Sequence, residues 1–212
     1  CLEAHANLSI ELGVTTIFQI ASDTVEPRSH LTSMSYDLAV AWTAIEHERT
    51  GTGVLGMLVE GGFILDHRSD EDLSTNVGSG AGLNDDLDNE EIAVTELWWA
   101  HTFWDDRVTL TFGKIDQTVY FDANRVANDE TAQFLNSVLV NNPAIAFPDN
   151  GLGANLWIEP NERVYITLGF GDANADARES GFNTIEGDEL FYAFEIGFRT
   201  EIHGLPGEYR MT

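Results

Sequence analysis

A chain of 212 residues with 36 Asp plus Glu against 10 Lys plus Arg carries a formal net charge of −26, and Lys114 is its one lysine. Such a surface repels nucleic-acid phosphates and offers no polybasic patch to anionic lipid, so nucleic acid is not an expected partner. One cysteine, Cys1, rules out a disulfide framework and a zinc site of paired cysteines; no apolar run reaches the 18 residues of a transmembrane helix, which leaves membrane-spanning strands open.

The chain does not begin with Met and has no signal-peptide pattern, so it reads as either processed or a fragment, with Cys1 a lipid-modified N-terminus or an arbitrary boundary. Leu8 to Ala21 alternates with period two: Leu8, Ile10, Leu12, Val14, Phe18 and Ile20 on one face, Ser9, Glu11, Gly13, Thr15 and Gln19 on the other. That period predicts a strand with one apolar and one wet face. Ser22 to Thr32 is polar, contains Pro27 and reads as a loop. Met34 to Glu48 predicts a second strand, with Asp37 on its wet side, and Val54 to Asp66 a third; a tight turn at Thr50 to Thr52 joins them. His67 to Glu91 is a long loop ending in the acidic run Asp85, Asp86, Asp88, Glu90 and Glu91. That run lacks the spacing of a calcium loop and reads as solvated charge.

Ile92 to Trp104 predicts a fourth strand and Val108 to Lys114 a fifth, joined by the short turn at Asp105 to Arg107. The long stretch Ile115 to Gly151 follows, polar at first and closed by Pro143 and Pro148. Within it Asn128 is positioned to cap a short helix whose apolar side is Ala132, Leu135, Val138 and Leu139. Connections this long between strands are usually functional, and this one is expected to fold into a barrel mouth and narrow a pore. Leu152 to Glu159, Val164 to Gly171 and Leu190 to Ile202 predict strands six to eight. Glu208 to Thr212 opens a ninth after the turn at Gly204 to Gly207.

Connections after the even strands are tight, and those after the odd strands are long and polar. That alternation is the pattern of an outer-membrane barrel, with short periplasmic turns and long outer loops. A soluble sandwich also alternates apolar and polar residues but has less reason to gather its long loops at one end. The expected fold class is therefore all-β: an antiparallel transmembrane β-barrel, with a short helix in the long loop after the fifth strand. Eight strands could close a narrow barrel, but a ninth begins, so residues 1–212 read as one partial domain of a larger barrel, cut before or within that strand.

The motifs Glu96-Leu97-Trp98-Trp99, Gly113-Lys114-Ile115-Asp116, Ala127-Asn128-Asp129-Glu130-Thr131, Gln133-Phe134-Leu135-Asn136 and Pro148-Asp149-Asn150-Gly151-Leu152-Gly153 resemble, in that order, the carbohydrate-selective porin (OprB) family. Gly204-Leu205-Pro206-Gly207-Glu208-Tyr209-Arg210 also resembles a family segment that leads into the next strand. The resemblance runs from about Trp42 and is strong from Glu96 onward. It implies a barrel of about sixteen strands in the outer membrane of a Gram-negative-type bacterium, with sugars as diffusing permeants, lipid outside, and a monomer or homotrimer as the assembly. It also implies that the loop after the fifth strand is the constriction.

The pore-lining candidates in that loop are Asp122, Asn124, Arg125, Asn128, Asp129, Glu130 and Asn136, because a neutral, hydroxyl-rich solute is recognised by fixed donors and acceptors. Asp129 and Glu130 could equally be first-turn charges on the loop helix. Tyr120 and Phe121 either stack on sugar rings or anchor the loop to the wall. Trp98 and Trp99 face opposite sides of a strand, so one is a lumen candidate and both fit an aromatic girdle. Glu11, Gln19, Asp37, Glu96, Glu195 and Arg199 lie on wet faces and are expected to point inward, Arg199 above all, since a lipid-facing Arg costs about 2–4 kcal/mol at mid-depth. The six histidines show no metal-like pairing, and no nucleophile–base arrangement or phosphate loop is present, so neither catalysis nor a cofactor or metal is expected. The acidity makes a cation-selective general porin the alternative within transport, and a secreted acidic β-sandwich that binds glycan the alternative outside it.

Overall fold

A computed structural model describes residues 7–27, 29–65, 73–80, 82–84, 86 and 91–212. Nine strands follow one another in a single sheet: β1 Leu8–Ile20, β2 His30–His47, β3 Gly51–Ile64, β4 Ala93–Phe103, β5 Val108–Ile115, β6 Gly151–Asn161, β7 Val164–Asp172, β8 Leu190–Ile202 and β9 Leu205–Met211. Each pairs antiparallel with its sequence neighbour, in the order β1 to β9. Only this meander places all the long connections at one end and all the tight turns at the other.

The period-two pattern sorts the two faces. In register, Leu8 meets Trp42, Leu12 meets Leu38, Leu168 meets Phe194 and Phe198 meets Tyr209, so one face is continuously apolar. That face is open: Leu12 is 75% exposed, Phe194 46% and Phe198 44%. A soluble sandwich would bury these residues against a second sheet, because an apolar surface this large is not left in water. The other face is polar and partly covered, with Thr95, Asn155, Thr167 and Glu195 all buried. The greasy side therefore looks outward and the polar side faces the lumen, the inverse of a water-soluble core.

Several boundaries differ from those expected of the sequence, among them β3, which is Gly51–Ile64 rather than Val54 to Asp66. Strand β2 begins at His30 rather than Met34, because Leu31 and His30 continue the pairing with Gln19 and Ile20. Strand β9 begins at Leu205: the reversal is the two-residue turn His203-Gly204, with φ of 53° and 79°, closing the Ile202–Leu205 pair. Both turn residues are left-handed, the geometry that suits a hairpin's twist. The loop helix differs too. No helix follows Asn128; Asp129 Oδ1 instead accepts from Thr131 N, Thr131 Oγ1 and Ala132 N and closes a turn. The helix, α2, is one turn at Ser137–Val140, capped by Asn136, whose Oδ1 accepts from Val138 N at 3.1 Å. Val138 and Leu139, expected on its apolar side, are exposed, and Val140 is buried.

Another single turn, α1 (Ser74–Val77), lies in the β3–β4 connection beside a small hydrophobic cluster, where Leu73 packs on Leu31 of β2. Of the acidic run, only Asp86 and Glu91 are among the described residues; Asp85, Asp88 and Glu90 lie outside them.

Candidate functional site

The lumen side is occupied by two connections, not one. The β5–β6 loop turns inward as soon as β5 ends. Asp116 accepts from the backbone and hydroxyl of Thr118, at 2.7 Å each, which sets the bend. Gln117 is buried and donates from Nε2 to Phe170 O at 3.0 Å. Phe121 is 1% exposed and lies on β7 at Gly169, where a Cβ would come within 2.6 Å of the ring. The next residue, Asp122, has a left-handed φ of 55°, and its N–H donates to Glu195 Oε2 at 2.8 Å. Arg210 Nη1 donates to Ala123 O. The loop thus crosses the inner faces of β6, β7, β8 and β9 before turning back.

The β3–β4 connection also tucks inward. Gln19 Nε2 donates to Leu83 O, Asn84 Nδ2 to Ser33 Oγ, and Ser35 Oγ to both oxygens of Asp86. Ser137 ties the two loops together, donating from N and Oγ to Gly82 O, each at 3.2 Å.

Between the loops and the wall lies a chamber of about 740 Å³. Its lining carries Asp37, Glu60 and Glu96 from strands, Asp86 from the β3–β4 connection, and Asp116, Asp129, Glu130 and Asp149 from the β5–β6 loop, and among the described residues no Lys, Arg or His. Among the loop carboxyls, burial pushes Asp116, Asp86 and Glu130 above their ordinary values; neighbouring acids add to this, while hydrogen bonds from Thr118 and Ser35 oppose it at Asp116 and Asp86. At Asp129 burial is outweighed by the bonds from Ala132 and Thr131, which hold it below the usual range. Tyr120 is pushed up to about 12, chiefly by burial. Among the described residues no three His, Cys, Asp or Glu side chains converge as a metal site requires.

The sequence-predicted residues fall into several groups. Glu96, Asn128, Asp129 and Glu130 line the chamber with Asp37. Trp98 faces the lumen over Gly56 and donates from Nε1 to Glu96 Oε2 at 2.8 Å; Trp99 lies on the opposite face, stacked with His101 at 6.3 Å. Phe121, Glu195 and Asn136 hold the loop's shape and position, and half-buried Tyr120 and Asp122 flank Phe121. Asn124 folds back on its own turn, accepting from Val126 N and Ala127 N, while Arg125 is exposed and offers its carbonyl to Gln133.

Arg199 is brought to a separate cluster nearer the tight-turn end. Its Nη1 lies 2.9 Å from Glu159 Oε1 and its Nε 3.7 Å from Glu208 Oε2. Its guanidinium sits 5.1 Å from the centroid of the Tyr165 ring, whose other face stacks on Trp157 at 4.5 Å and 10°. Trp157 and Tyr165 stand outside the motifs singled out above, although both lie on the wet positions of their strands. Alternation from Asn155 and Thr167 was the signal that could have found them.

Comparison with known proteins bears on the family and the fold. The family model described as "Carbohydrate-selective porin, OprB family" matches residues 41–212. Porin AaxA of Chlamydia pneumoniae is 26% identical over 166 residues, covering 74% of this chain and 35% of that protein. An uncharacterised protein of Aquifex aeolicus is 33% identical over 89 residues, covering 42% of this chain and 25% of that one. The chain therefore spans about a third or less of the length of these curated relatives. The high-pH structure of Pseudomonas putida OprB superposes with a TM-score of 0.74 at 13% identity, over 96% of this chain and 51% of that chain, a likeness of fold.

Proposed function

The chain belongs to the carbohydrate-selective porin, OprB family, and from that premise we propose that it forms wall and constriction of an outer-membrane channel through which carbohydrates diffuse passively. The observation that carries this reading is the docked β5–β6 loop, with Phe121 buried on Gly169 and the Asp122 N–H held by Glu195. A segment pinned across the inner wall reduces the open cross-section by a fixed amount, and selection by size follows. Donors and acceptors along the loop and wall replace the water around a sugar's hydroxyls as it passes. Lipid contacts the apolar face, and sugars are the permeants. Liposome swelling with the full-length protein tests the proposal: faster entry of glucose than of sucrose and raffinose supports it, and no sugar entry refutes it.

A second reading rests on the chamber, whose lining is acidic without a basic counterpart among the described residues. Carboxylates gathered in a confined space raise the local cation concentration. The channel is then cation-preferring as well as sugar-permeable. Reversal potentials across a salt gradient measure this, and equal permeability to potassium and chloride would remove it.

A further inference from the structure

We propose that the lumen wall at the tight-turn end holds a binding station for a pyranose ring, formed by Trp157, Arg199, Glu159 and Glu208, with Tyr165 as its strut; this rests on the channel reading above. These residues share the inward face. Trp157 pairs with Thr167, Thr167 with Glu195, Tyr165 with Gly197, and Arg199 with Glu208. Tyr165 is already spent: one ring face meets Trp157, the other meets the Arg199 guanidinium, and its hydroxyl donates to Glu195 at 2.7 Å. It is 2% exposed. Gly197 makes the stack possible, since a Cβ there would fall 1.9 Å from the Tyr165 ring.

Trp157 is not spent. Tyr165 covers one face of its indole, and the residue stays half-buried. Its neighbour in register on the other side is Thr109, too short to cover an indole, with its hydroxyl 3.0 Å from that of Thr102. Arg199 is likewise incompletely used. A guanidinium has five N–H donors. The contacts to Glu159 and Glu208 leave donors over, and all three side chains are 31–38% exposed. The carboxylates keep lone pairs of their own.

A flat apolar face beside fixed donors and acceptors complements a pyranose, which presents axial C–H groups on one side and hydroxyls around its edge. Charge points the same way, because two arginines, Arg199 and Arg210, here accompany Glu159, Glu195 and Glu208, whereas the chamber lining is acidic throughout. A neutral solute that clears the loop meets this station next, one hydrogen-bond relay away through Tyr165, Glu195 and Asp122.

The test titrates maltotriose against the ion current of the full-length protein in planar bilayers and reads the half-blocking concentration, with heat-modifiable mobility reporting a folded barrel. Trp157→Ala raises that concentration about tenfold or more. Trp157→Phe recovers most of the loss, and Arg199→Lys, which keeps the charge but loses the planar fork, raises it severalfold. Trp99→Phe, on the outward face, leaves it where it was. Unchanged block in both Trp157→Ala and Arg199→Lys overturns the station, and should Trp157→Ala fail to fold, Trp157→Phe and Arg199→Lys decide. A wild-type channel that passes glucose but shows no maltotriose block also overturns the station while the channel reading stands. One that passes no sugar removes both.

Discussion

Phe121 is where the constriction can be undone with one side chain. It is 1% exposed and packs where β7 has no side chain, at Gly169. Truncating a buried Phe to Ala costs about 3–5 kcal/mol, from lost transfer energy and the cavity left behind. Moving a two-state equilibrium from 1:99 to 99:1 takes about 5.5 kcal/mol. A loop that is firmly docked in the wild type therefore spends a good part of its time undocked in Phe121→Ala, held by the polar contacts Gln117–Phe170, Asp122–Glu195, Arg210–Ala123 and Ser137–Gly82. Gly169→Val perturbs the same contact from the opposite side, since its Cβ would come within 2.6 Å of the Phe121 ring. Deletion and insertion have different chemistry but one shared consequence, a displaced loop. In planar bilayers both variants should show higher mean conductance and more current noise. In swelling assays both should raise the ratio of trisaccharide to monosaccharide entry above that of the wild type. Folded variants with wild-type conductance and wild-type size dependence would refute the idea that this loop narrows the pore.

The other predictions concern the framework around it. Lys114 donates from Nζ to Val94 O at 2.8 Å, Ala177 O at 2.5 Å and Glu179 O at 2.6 Å, so it clasps the β7–β8 loop. Hydrogen bonds to a charged group contribute about 1.5–3 kcal/mol each; Lys114→Met should make trypsin cleave after exposed Arg178 much faster, and an unchanged rate would dismiss the clasp. Burial raises Asp116, Asp86 and Glu130 above their ordinary 3.8 and 4.5, so between those values and the raised ones the docked state binds more protons than the undocked one. Docking should strengthen as the pH falls into that window and weaken as it rises through the raised values, with cation preference declining in mild acid; conductance rising on acidification would contradict this. Gly197→Ala forces Tyr165 off Trp157 at an overpacking cost of about 1–3 kcal/mol, which should lower the temperature at which heat-modifiable mobility is lost, and an unchanged temperature would mean the stack does not brace the wall.

Period two was enough for the strands, as Leu190 to Ile202 illustrates: its bounds in the structure are those read from the sequence. Alternation also assigned faces, because Phe194, Ile196 and Phe198 cannot share a side with Glu195 on an extended backbone. It failed at the ends. His30 and Leu31 followed a proline-containing polar stretch, and only pairing with β1 recruits them. The helix after Asn128 failed for a related reason. Asn128 and Asn136 are both competent caps, and local sequence does not say which is used. Ser137 bonded to Gly82 of the other loop stands at the start of the actual turn, a contact 55 residues away along the chain.

What the sequence determined by itself is therefore the part governed by short-range geometry: strands, their two faces, the alternation of tight and long connections, and an inward Arg199. These follow from the two-residue repeat of an extended chain and from the cost of placing charge against lipid. What only the tertiary structure decided is which inward residues meet. Trp157 and Tyr165 stack because antiparallel register sets β6 beside β7 and Gly197 leaves room for the ring. The chamber collects carboxylates from three strands and two loops. Glu195, one wet position among many, becomes the anchor of a loop 73 residues earlier in the chain. Contacts of that span depend on how the whole sheet curves and where its loops land, which no local pattern encodes.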